Sequence, residues 1–140
     1  MLKLMLSALA GILLVALSVC SRSGLYASTN PQVQPRISGA YSDMRVIEDA
    51  GDVVGTEIKM VYAEDHFQGE LQFAEGTPGR PVLVNVIQEG SAVTSAVPDD
   101  SELPGSFTGE VSDGLLRGTF HFKDGGTEAI VLRRGKSYWD

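Results

Sequence analysis

Two histidines, His66 and His121, are the only imidazoles in the chain. Zinc sites take three or four ligands at recognisable spacing, and these two lack a third ligand so placed. His66 follows Glu64 and Asp65 in the stretch AEDHF, where a solvated turn accounts for all three. His121 alternates with Phe120 and Phe122, so on an extended strand it points away from them. Asp99, Asp100 and Glu102 crowd the loop PDDSELPG and offer carboxylate oxygens to a hard cation such as calcium. They lack the spacing of a calcium loop, so a solvated loop is expected and a metal site is not. Neither a Gly-x-Ser-x-Gly nucleophile elbow nor a glycine-rich phosphate loop occurs. The expectation is a protein that is not an enzyme and carries no cofactor.

Apolar recognition is the chemistry the residue types serve better. Tyr41, Met60, Tyr62, Phe67, Phe73, Phe107 and Phe120 fall at alternate positions of short extended runs. Alternation puts such residues on one face of a strand. These seven are the expected lining of an apolar site.

The elements that would hold them are strands. From Ile37 to the end, short alternating runs are cut by Gly, Asp and Pro, without a long helical period. Eight strands are expected: Ser38 to Ile47, GTEIKMVY, FQGELQF, PVLVNVIQ, SAVTSAV, the two halves of SFTGEVSDGLLRGTFH, and TEAIVLRR. Asp113-Gly114 suits a tight two-residue turn, since both central positions need positive φ. That turn sets Phe107 opposite Phe120, Thr108 opposite Thr119, Gly109 opposite Gly118, Glu110 opposite Arg117 and Val111 opposite Leu116. A second hairpin sets Tyr62 opposite Phe67, Met60 opposite Gly69, Ile58 opposite Leu71 and Lys59 opposite Glu70. Each register gathers the apolar residues on one side, and a slip of one residue would turn them outward. Gly69, Gly109 and Gly118 then face inward beside aromatic rings. Their absent side chains either let the sheet bend enough to close or leave room for a ligand.

The expected fold is therefore all-β, an antiparallel eight-stranded meander closing as a small barrel or barrel-like sandwich. An eight-stranded interior holds side chains or one small ligand. Gly39-Ala40-Tyr41 opens the first strand and Arg133 and Arg134 end the last. On these residues the chain resembles the calycin group of small barrels, which includes lipocalins and avidins. Lipocalins carry Gly-x-Trp at the first position, with an arginine from the last strand packed over the ring. The resemblance implies such a contact with Tyr41 here. Avidins line their biotin site with several tryptophans, whereas this chain has only Trp139.

The barrel is expected over residues 37–140, after a signal-peptide helix (1–27) and a flexible leader (28–36). Lys3 precedes the uncharged apolar run from Leu4 to Val19, and Arg22 ends it. That is the layout of an export signal, and the run is shorter than the ~20 residues of a spanning helix. Cleavage before Ser28 would give a soluble exported protein. Leu17-Ser18-Val19-Cys20 resembles a lipobox, so Cys20 is the alternative, lipid-bearing site. The 18 acidic and 11 basic residues leave a net charge of −7, which opposes nucleic-acid binding. Arg133, Arg134 and Lys136 precede Tyr138 and Trp139. This mixture suits an anionic membrane surface, but a tail folded back to close one barrel end accounts for it better.

In PVLVNVIQ, Val82, Val84 and Val86 face one way and Leu83 and Ile87 the other. A strand apolar on both faces is usually covered twice. The leader or a second subunit would be that cover, which makes the Pro81–Gln88 strand the expected interface of a homo-oligomer. Two functions follow: an exported barrel binding a small apolar or amphipathic ligand, or a cell-envelope interaction module with a filled core.

Overall fold

The computed structural model describes residues 35–140. The expected signal peptide, Cys20 and leader residues 28–34 lie outside the described residues. The described part is all-β, with nine strand segments: β1 (Gly39–Ser42), β2 (Arg45–Ile47), β3 (Asp52–Ala63), β4 (His66–Pro78), β5 (Val82–Glu89), β6 (Ala92–Val97), β7 (Gly105–Ser112), β8 (Leu115–Phe122) and β9 (Thr127–Gly135). Each of β3 to β8 pairs antiparallel with the next, and β1 pairs with both β3 and β9. The sheet therefore closes into an eight-stranded barrel, with β1 and β2 as two halves of one bent stave.

That bend departs from the single first strand expected over Ser38 to Ile47. Asp43 is the cause. Its carboxylate accepts the Thr56 N–H at 2.7 Å and its own N–H donates to the Thr56 carbonyl at 3.1 Å. A side chain replaces a ladder bond there, and the strand turns at that point.

Both hairpins adopt the registers read from the sequence. Gly109 faces Gly118 and Phe107 faces Phe120, while Met60 faces Gly69 and Tyr62 faces Phe67. At the crease Asp113 and Gly114 take φ values of 51° and 73°, as a tight hairpin turn requires. Inward residues from every long strand meet in one core, with Tyr41, Met60, Leu71, Val93, Phe107, Leu116 and Leu132 among the most enclosed.

The inward glycines are places of close approach. A Cβ on Gly118 would lie within 2.5 Å of both the Phe107 ring and the Thr108 carbonyl oxygen. One on Gly109 would lie 2.6 Å from the tip of the same ring. Phe107 therefore occupies the room the two glycines leave, where one sequence reading placed a ligand. Gly69 is similarly filled, by Val84, Val86 and Ile58.

Candidate functional site: the two barrel ends and the β5 wall

At one end the chain enters over the barrel. The Gln88 amide donates to the Pro35 carbonyl at 2.9 Å, so residues 35–38 cross from β5 toward β1. Arg134, at the end of β9, donates to the carbonyls of Arg36 (3.0 Å) and Ser38. Its guanidinium stands 5.9 Å from the centre of the Tyr41 ring. This is the arginine-over-aromatic contact that the resemblance implied. Gly39 makes it possible, because a Cβ there would sit 3.0 Å from Arg134 Nε and φ is +139°. The Tyr41 hydroxyl is buried without a hydrogen-bond partner. Burial pushes the Tyr41 pKa up from the ordinary 10.0, against a smaller opposing pull from Arg134.

Phenylalanines gather toward the opposite end. Phe120 lies 4.9 Å from Phe73, 5.0 Å from Phe107 and 6.1 Å from Phe122, centre to centre. The loop 98–104 crosses here. Its Pro104 carbonyl accepts the Lys123 N–H at 2.9 Å, and Asp99 pairs with the Lys123 ammonium at 2.8 Å. Half-buried Leu103 lines a hollow of about 20 Å³ beside Phe73, Val82 and Val97, room for about one water. Outside it, a surface hollow of about 440 Å³ is bordered by Phe122, Leu103, Glu75 and Glu102.

A third region is the outer wall. On β5, Leu83 and Ile87 are 71% and 61% exposed, while Val84 and Val86 are buried inside. The β5 edges are occupied by β4 and β6. Laterally from Ile87, the paired positions are Thr94, Thr108, Thr119 and Ala129. The adjacent row runs Ala96, Ser106, His121 and Thr127. Neither row contains a carboxylate, lysine or arginine. Asn85 and Ala96 share a surface hollow of about 480 Å³ with Gln68, Leu83 and Pro98.

The seven expected lining residues do not form one open site. Tyr41, Met60, Phe107 and Phe120 are enclosed in the core, and Phe67 and Phe73 pack against it half-buried. Tyr62 is 59% exposed, its ring edge-on to Phe67 at 4.9 Å. The reason is positional. Met60 pairs with Gly39, where β1 begins, so two residues further on Tyr62 has no β1 strand beside it. His66 is hydrogen-bonded to Asp65 at 3.0 Å, which holds the exposed Asp65 carboxyl below its usual range. His121 faces outward.

The tail does fold back, but onto the side of the barrel rather than over an end. Glu57 points outward yet is only 2% exposed. Its carboxylate accepts the Ser137 hydroxyl at 2.7 Å and the Tyr138 N–H at 2.6 Å. Trp139 donates its indole N–H to Gln72 at 2.8 Å. The sequence signals for this are Glu57 and Gln72, polar residues opposite each other on paired strands, but nothing local says what they receive. Leu103 and Phe122 are further residues of the aromatic end absent from the expected lining. Leu103 was visible as the apolar residue inside the acidic loop, and Phe122 as a ring in phase with Phe120.

No protein-family model matches the chain, and none of the curated proteins or solved structures matches it.

Proposed function

We propose that this is an exported, non-enzymatic, calycin-like barrel of the cell envelope that serves as a protein-interaction module through the outer wall centred on β5. The observation that carries the reading is the exposure of Leu83 and Ile87 on a strand whose inner face is already buried. Single exposed apolar residues are ordinary, but two on one strand form a patch suited to a partner, with Ile87 in an uncharged row and Leu83 beside Glu70, whose carboxylate pairs with Lys59. The filled interior supports the same reading, since Phe107 takes the space beside Gly109 and Gly118. The calycin likeness draws support from Arg134 over Tyr41.

Side-chain oxidation by hydroxyl radicals tests the interaction. Leu83 and Ile87 should react slowly in intact producing cells and quickly in dilute purified protein. Equal reactivity in both would remove the module. Export is read from mass: the purified chain should begin at Ser28 or at a lipid-modified Cys20.

A second reading rests on the Phe122–Leu103 hollow, which would take a small apolar ligand at the barrel mouth. Saturable binding of an apolar fluorescent probe, weakened by Leu103→Asp, is its test.

A further inference from the structure

We infer that the hollow at the aromatic end takes an organic cation with an apolar body, of the alkylamine class. Carboxylates at the mouth hold its ammonium, and its chain lies on Phe122 and Leu103. The inference rests on the second reading above and names the ligand's charge and chemical class.

Register is the first argument. On β4 the inward residues Leu71 and Phe73 are followed, at the next alternate position, by Glu75. On β9 the inward residues Leu132 and Ile130 are preceded in the same phase by Glu128, which pairs with buried Phe120. Paired residues share a face of the sheet, so Glu128 lies on the side of the rings. A carboxylate placed only for solubility belongs on the outer face. These two stand in inward phase where the barrel opens, and both border the hollow of about 440 Å³.

Charge is the second. Glu102 and Asp124 border the same hollow, and among the described residues around it Lys123 is the one cation. Its ammonium is already paired with Asp99 at 2.8 Å. Asp124 accepts the Gly126 N–H at 2.8 Å. Among the described residues, Glu75, Glu102 and Glu128 take part in no ion pair. Arg80 borders the neighbouring hollow with Glu75 and Glu102, but not this one. The mouth therefore holds an excess of negative charge that a ligand ammonium neutralises and a fatty acid would worsen.

Shape is the third. Half-buried Phe122 and Leu103 offer apolar contact beside these carboxylates. The volume falls in the range of small-molecule sites. Below it the rings of Phe73, Phe107 and Phe120 fill the interior, so the ligand stays at the mouth. Each exposed ion pair it forms contributes about two- to fivefold in affinity.

Calorimetric titration of the protein as recovered from producing cells decides the matter, with octylammonium and octanol as probes of one chain length. Octylammonium should bind with a dissociation constant below about 1 mM, at least about fivefold tighter than octanol, and more weakly as salt rises. Glu75→Gln with Glu128→Gln should remove most of that preference and leave octanol binding as it was. The control is Glu89→Gln with Asp113→Asn, which removes the same charge beside the β5–β6 and β7–β8 turns, at the opposite end of the barrel. There the preference should persist. Equal affinity for the two probes, or a control that loses the preference equally, overturns the inference. So does displacement of octylammonium by micromolar calcium, which would assign the carboxylates to a metal ion. The probe comparison and the salt series need no variant, so a variant that fails to fold leaves the outcome decided. Octanol binding that Leu103→Asp weakens, with no preference for octylammonium, leaves the apolar reading standing without the cation. Binding of neither probe ends both.

Discussion

At the end where β1 begins, the barrel is closed by backbone carbonyls and one guanidinium; at the other, by phenylalanine rings and one leucine. The first closure is directional. Arg134 reaches two named carbonyls and one aromatic face, and Gln88 reaches a third carbonyl. The second is a matter of volume, with Phe73, Phe107, Phe120 and Phe122 packed ring against ring and Leu103 beside Phe73. Exposed polar bonds exchange with water and contribute modestly to net stability, whereas burying rings removes apolar area from water. The comparison teaches that the rings at the mouth should carry the stability and the arginine should fix the path of the entering chain.

The largest test is Phe120→Ala. Phe120 is buried at the centre of the ring cluster, and its truncation should cost about 3–5 kcal/mol in denaturant unfolding. Gly118→Val comes next, at about 1–3 kcal/mol of overpacking. The added side chain meets the Thr108 backbone oxygen as well as the Phe107 ring, and only the ring can turn aside. This variant probes the barrel's waist and should leave amide protection unequal around β7 and β8. Arg134→Ala should cost about 1 kcal/mol, after discounting for solvent screening of an exposed group. Its clearer signature is faster amide exchange in β1. A loss from Arg134→Ala exceeding that from Phe120→Ala would reverse the comparison.

Tyr41→Phe is the smallest change and has a distinctive sign. It removes a buried hydroxyl that has no partner, so stability should hold or rise by up to about 1 kcal/mol. In the native protein the phenol keeps its proton at pH values where the unfolded chain has lost it. The tyrosine therefore leaves stability intact below about pH 10 and lowers it as pH rises beyond that, toward its raised native pKa. The phenylalanine variant should lack that alkaline loss. Urea midpoints measured from pH 8 to 11 would expose the difference, and identical slopes for both proteins would show that the hydroxyl reaches water.

The registers were legible because period-two patterning and an Asp-Gly turn are local signals, and both hairpins are built from residues close in sequence. The role of Arg134 was legible only through likeness, since 93 positions separate it from Tyr41. What stayed hidden depends on distant parts meeting. Asp43 bends the first strand by reaching Thr56. Tyr62 lies exposed because β1 starts too late to shelter it. The tail settles on Glu57 and Gln72, whose alternation alone marks them as outward and solvated. The β5 wall was visible as a doubled apolar pattern, but the uncharged neighbours of Ile87 and the Glu70–Lys59 pair beside Leu83 became apparent only with the strands paired.

The pairing of β1 with β9 has a consequence for timing. Ser42 bonds beside Arg133, so the ring cannot shut until nearly the whole chain is present. Loop closure over such a separation places the domain among slowly folding β topologies. Until Arg133 arrives, β1 lacks one neighbour and β9 has not formed, leaving unpaired edges prone to aggregation. The same delay keeps the chain threadable. The export proposed above would gain from a fold whose last strand completes its first.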